Sequence, residues 1–347
     1  MNVRLLIAGT IAGFFAYGCA QSSAPLPGSA VQSGQVRTFG RAAPHQSPAL
    51  QLFDTPTSFS WPDYIVKGPQ HALWFSEFYA DKIGRVTMDG KMTEFSLPDN
   101  TDIEGITAGA DGNIWFTAPG AQQIGRMTPA GVVTTFAIPA YNSSPRGMTL
   151  GPDGNVWYVE FYDGYIGRVT PKGTITRFAI PDGPYSSPWT ITTGPDGDLW
   201  FSESFSNKLG RFNPSTQQFE ASLTVPTQNA TPWGVIMAPD KHVWFTERNG
   251  DKIAEVTKSG KIKEFAIAQP GSYPESLAPG GDGKLWFTEM QASSVGNIDP
   301  KTGKFGQLVS LPNSAIPIGI TEGFNKNVWF CVSFYHNPMQ IGEVVLH

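Results

Sequence analysis

Two sets of residues in this sequence have the types and the spacing to do chemistry. The first is Asp63, Glu104, Arg146, Trp189, Trp233, Glu275 and Ile318, which recur every 41 to 44 residues, each after a proline except that Ile103 precedes Glu104. Three carboxylates can exchange protons or hold a divalent cation, a guanidinium can fix an anion, and indoles can stack on a ring-bearing ligand. The second set is Glu77, Ala118, Glu160, Glu203, Glu247, Glu289 and Ser333, at the ends of runs such as LWFTE. Five glutamates at equivalent places speak first for structure, because a reaction needs its acid once. The first set instead varies where the surrounding pattern is uniform, as a ligand site on a symmetric scaffold would. Its alternative is a solvated rim whose charges merely pair with one another, each pair contributing little.

A repeat must position both sets. Trp74, Trp115, Trp157, Trp200, Trp244, Trp286 and Trp329 sit in near-identical runs spaced by 41 to 44 residues, the period of a propeller or solenoid unit. In the third copy GMTL, VWYVE, YIGRVT and TITRFAIP are separated by PDGN, a loop and PKG, which reads as four short strands with glycine-containing turns. One such sheet cannot bury both faces, and radial packing also limits exposed edges. The sequence therefore predicts an all-β chain, a seven-bladed β-propeller of four-stranded antiparallel blades over residues 49–347. The last repeat ends at IGEVVLH after its third strand; ALQLFDTP, which resembles EFSLP and RFAIP, is expected to fill the vacant place and close the ring. Antiparallel pairing brings both residue sets to one mouth of the channel. The loops after the second strands carry Phe78-Tyr79, Phe161-Tyr162, Phe205 and Phe334-Tyr335 to that face, where they stack on a ligand or pack between loops.

Outside the repeats, residues 1–20 place Arg4 before an apolar run too short to span a bilayer comfortably, which reads as an export signal. Cys19 follows small residues in the manner of a bacterial lipoprotein box, with Tyr17 a poor fit, and ordinary cleavage after Ala20 is the rival. Residues 21–48 are rich in Ser, Ala, Pro, Gly and Gln and read as a disordered leader or tether. The expected location is periplasmic, secreted, or membrane-anchored through a lipid on Cys19. The only other cysteine, Cys331, is expected to be a buried small hydrophobe, so no disulfide framework exists. A net charge of -5 without any Lys/Arg cluster removes the basis for nucleic-acid binding. The five histidines show no metal-ligand spacing, and no nucleophile elbow or phosphate loop is present.

Repeats such as GPDGNVWYVEFYDGYIGRVTPKGTITRFAIP and GPDGDLWFSESFSNKLGRF resemble the virginiamycin B lyase, or streptogramin lyase, family over about residues 50 to 347. The resemblance implies a seven-bladed propeller and a magnesium-assisted elimination that opens a cyclic depsipeptide at an ester C–O bond. It also places the family's substrate histidine on Glu275, its catalytic histidine on Ile318, and its two metal-binding glutamates on Ile316 and Ser333. None of the four is kept, and an isoleucine neither takes a proton nor ligates magnesium.

The resulting expectation is a monomeric binding module that holds a small or peptide-like ligand with Asp63, Glu104, Arg146, Trp189, Trp233 and Glu275. The alternatives are a divergent C–O lyase or a lactonase-like hydrolase, and a purely structural or protein-interaction propeller. No cofactor is fixed by the sequence; an enzyme here would use magnesium or calcium, held by Asp63, Glu104 or Glu275.

Overall fold

The computed structural model describes residues 37–39, 48–312, 314–334 and 338–346. The expected signal, Cys19, Tyr335 and His336 lie outside the described residues, as does most of the expected leader. Seven antiparallel sheets follow one another along the chain, their innermost strands beginning at Pro62, Ile106, Pro145, Pro188, Pro232, Pro274 and Ala315. We number these blades one to seven. Blade seven takes its fourth strand from Ala49–Asp54, which pairs antiparallel with Gln340–Val345 as the sequence predicted. Arg37–Phe39, within the 21–48 stretch, adds a short strand outside it.

The repeat has a physical reason at each position. The second-strand tryptophan is buried, and in blades two, three, five and six its indole N–H donates to the aspartate four residues earlier, as from Trp157 to Asp153 at 3.0 Å. That aspartate also accepts from the amide two residues on in the tight turn, for example that of Asn155 at 3.1 Å. The tryptophan stacks on the fourth-strand phenylalanine of its own blade, Trp115 on Phe136 at 5.7 Å and Trp244 on Phe265 at 5.5 Å. In blade seven Phe53 of the closing strand takes that place, 5.4 Å from Trp329.

Burial is distributed between blades rather than gathered in one centre. Each of the seven neighbouring pairs encloses its own apolar cluster, such as Trp74, Ile103, Ile114 and Phe116 between blades one and two, and Trp329, Ile341, Leu73 and Phe75 between blades seven and one. A radial stack of this kind is as strong as its weakest seam.

The innermost strands carry a register break just after their first proline in blades one and three to seven, for instance between Pro145 and Met148. A bulge re-aims the side chain it carries, and here that residue is the variable member of the first set. The amide released by the break is recovered by the Ser or Thr of the next strand: Ser76 accepts from Tyr64 N–H at 3.0 Å and Thr246 from Gly234 N–H at 2.9 Å. The glycine after the variable residue marks the closest approach of neighbouring inner strands. A Cβ at Gly147 or Gly319 would strike the backbone at Trp189 or Asp63 in the next blade.

Candidate functional site

The register pairs Pro62 with Glu77, Pro145 with Glu160 and Pro274 with Glu289, so both residue sets do share one mouth. They lie in different surroundings there. The five glutamates of the second set are fully buried inside the blades. Glu160 is gripped by Arg177, Nε to Oε1 at 2.9 Å, and Arg177 also reaches Asp163 at 2.8 Å. Glu203 accepts from Ser222 at 2.7 Å and Glu289 from Ser294 at 2.5 Å. These bonds hold each blade to itself, which is a structural role.

Glu77 and Glu247 differ from the other three. Desolvation, and after it the neighbouring carboxylates of Glu94 and Glu264, push both up to about 8. Lys82 and Lys252 bond those neighbours instead, at 2.8 and 2.6 Å. Below the ordinary carboxylate range neither folded nor unfolded chain has ionised here. Between about pH 4.5 and 8 the unfolded chain releases protons that the folded chain keeps, so stability falls as pH rises through that window. The double variant Glu77→Gln with Glu247→Gln keeps a neutral donor beside each carboxylate. In urea titrations we expect it to gain several kcal/mol over the parent at pH 8.5 and almost nothing at pH 4.5. Equal midpoint differences at the two pH values would show that neither glutamate is held protonated by the fold.

Five members of the first set, Glu104, Arg146, Trp189, Trp233 and Glu275, form an arc of touching side chains with Arg248. Glu104 pairs with Arg146, both almost fully buried. The Arg146 guanidinium lies over Trp189, 4.7 Å from its ring centre, and Trp189 stacks on Trp233 with centres 3.9 Å apart and planes at 27°. Over Trp233, at 4.2 Å, lies Arg248, which also pairs with Glu275, Nε to Oε2 at 3.0 Å. Four flat groups from three blades therefore stack as Arg146, Trp189, Trp233 and Arg248, with a carboxylate holding each outer arginine. Cation–π contacts shielded from water are worth about 1–2 kcal/mol each, so the wall is stiff before any ligand arrives. The indole faces are filled by this stack; what the two tryptophans offer the channel is their edges.

Arg248 was not among the residues that the sequence singled out, although a signal was present. The residue after the second-set position is Phe78, Pro119, Phe161, Ser204, Met290 or Phe334 in the other blades, and only blade five has a cation there. The loop aromatics divide: Phe161 is buried edge-on against Trp189 at 5.4 Å, whereas Tyr79 and Phe205 stay exposed. His71 lies against Phe324 and His242 Nδ1 meets Glu255 at 2.5 Å, both at the turns between first and second strands and so at the other end of the blades.

Asp63 is the remaining ionisable member. It keeps part of its surface toward the channel, yet desolvation first, and Glu275 second, push its carboxyl up to about 7 against the opposing pull of Arg146 and Arg248. Burial likewise raises Glu275, with Arg248 and the Trp233 indole working against the rise. Burial also raises the neighbouring Tyr64 phenol. Ile318 completes the ring, buried in blade seven, with Ile316 opposite Ser333, whose hydroxyl donates to the Pro62 carbonyl at 3.2 Å. Two aliphatic side chains and a committed hydroxyl do not fit a magnesium ion. Among the described residues no group of three or more His, Cys, Asp or Glu is placed to hold a metal.

Comparison with known proteins matches the virginiamycin B lyase family model to residues 34–223 and 183–345, two overlapping matches as tandem repeats allow. A crystal structure of a catalytically inactive virginiamycin B lyase from Staphylococcus aureus with quinupristin is 32% identical. It covers 86% of this chain and 99% of its own, with a TM-score of 0.79. A streptogramin B lyase structure gives 32% identity, 85% and 96% coverage and a TM-score of 0.78. The hydrazine synthase of Kuenenia stuttgartiensis, 13% identical over 82% of this chain and 97% of its own with a TM-score of 0.66, shares the fold alone. No curated protein sequence matches the chain.

Proposed function

The chain belongs to the virginiamycin B lyase family, and we propose that it works there as a binding protein, holding a small or peptide-like ligand at the channel mouth without opening it. One observation carries this reading: Ile318 fills the seventh place of an otherwise polar and aromatic ring, buried beside Ile316 and Ser333. An elimination needs a group to take the proton and charge to stabilise the departing oxygen. Those three side chains supply neither. The rest of the ring keeps what recognition needs, namely a rigid wall with fixed polar groups. Export belongs to the same proposal and rests on residues 1–20.

Quinupristin, which accompanies the related lyase, is the first probe. Calorimetry with magnesium present should give saturable binding, and mass spectrometry after overnight incubation should recover the intact cyclic compound. Ring-opened product that disappears with a chelator would overturn the proposal in favour of a lyase built from other residues.

A further inference from the structure

The charges at the mouth do not balance. Three ring carboxylates, Asp63, Glu104 and Glu275, face two guanidiniums, Arg146 and Arg248, and each guanidinium is already taken by a glutamate. Asp102 adds another negative charge acting on Arg146. Asp63 is left with neither a hydrogen bond nor an ion pair to its side chain among the described residues, while part of it faces the channel. Its position is held from both sides. The bulge after Pro62 fixes its backbone, and Gly319 of blade seven packs against its carbonyl. A fixed, desolvated carboxylate without a partner is costly in the empty protein, and a cation brought by a ligand relieves that cost.

Building on the reading that the mouth is the ligand site, we propose that it selects ligands bearing a positively charged nitrogen, which Asp63 receives. Glu104 and Glu275 are already buried against the arginines of the stack, which leaves Asp63 as the carboxylate with no cation of its own. The indole edges of Trp189 and Trp233 and the ring of Tyr64 supply the apolar surround that an alkylated ammonium tolerates and a strongly hydrated metal ion does not.

Benzyltrimethylammonium tests this on the full chain, because its charge does not titrate; 2-methyl-1-phenylpropan-2-ol is the neutral control of similar shape. The cation should bind measurably by titration calorimetry or ligand-observed NMR, the alcohol at least about fivefold more weakly, and Asp63→Asn should remove the difference. With the unmodified protein, affinity for the cation should rise between pH 6 and pH 8 as Asp63 ionises. The charged or titratable groups that interact with it are Glu275, Arg146, Arg248, Tyr64, Tyr79 and Cys331. Equal binding of cation and alcohol, an unchanged cation affinity in Asp63→Asn, a flat pH profile, or no binding of the cation would each overturn the inference. The profile stands even if the variant does not fold. Quinupristin titrations judge the ligand-site reading separately, so the two fail independently.

Discussion

A chain beginning after Asp54 should show no cooperative unfolding transition at all. The strand Ala49–Asp54 supplies the fourth member of blade seven, and its side chains enter two different seams. Leu50 and Leu52 pack with Val332, Phe330 and Trp286 between blades six and seven. Phe53 packs with Trp329, Cys331 and Ile341 between blades seven and one. Deleting one buried Leu or Phe side chain costs about 2–5 kcal/mol, and three such losses equal or exceed the net stability of about 5–15 kcal/mol typical of a domain. The loss also uncovers the hydrogen-bonding edge of Gln340–Val345, an invitation to aggregate. A graded version separates packing from mere shortening: Phe53→Ala should cost about 3–5 kcal/mol by urea titration. Phe136→Ala, which removes the equivalent stack on Trp115 inside blade two, should cost about as much. If the truncated chain instead melts as sharply and as high as the full one, the seams beside blade seven are not what hold the ring.

The comparison of those two phenylalanines also says why the fold was legible in the sequence. Phe53 and Phe136 occupy the same place although one precedes all the repeats, because the fourth-strand pattern of FDTP and FAIP was readable before any partner was known. The tryptophan period gave the blade count, and the strand directions put both sets of residues at one mouth. The structural role of Glu160, Glu203 and Glu289 also followed from the number of second-set glutamates. What sequence could not supply was contact between blades. Trp189 and Trp233 read as free aromatic surface because nothing in a 44-residue spacing reveals that two inner-strand bulges bring their rings to 3.9 Å. Arg248 escaped notice because its work is done on the face of a side chain that begins on another strand of blade five. The carboxylates of Glu94 and Glu264, which decide the protonation of Glu77 and Glu247, come from fourth strands, outside the runs that carry the two residue sets.

Removing both indoles, Trp189→Ala with Trp233→Ala, should weaken quinupristin binding by about a hundredfold or more, the scale of a central aromatic hot spot. The reason lies in the stack rather than in direct stacking on the ligand. Arg146 is held by Glu104 on one side and by the Trp189 face on the other, and Arg248 by Glu275 and the Trp233 face. Without the indoles each guanidinium keeps its carboxylate but loses its planar support, and two like charges look at each other across a gap that water fills. The channel wall loses shape and apolar edge together, so both the fit and the preorganisation of the site decline. Trp189→Phe alone is the discriminating companion, because a smaller flat ring preserves the order of the stack; it should lose less than about tenfold. Both variants should remain folded, since Trp189 and Trp233 belong to none of the apolar clusters between blades, whereas each of those clusters holds one second-strand tryptophan. Unfolding curves on the same samples verify that. A folded double variant that binds quinupristin with parental affinity would move the ligand site away from this mouth, and Arg146 and Arg248 would then serve only to hold blades together.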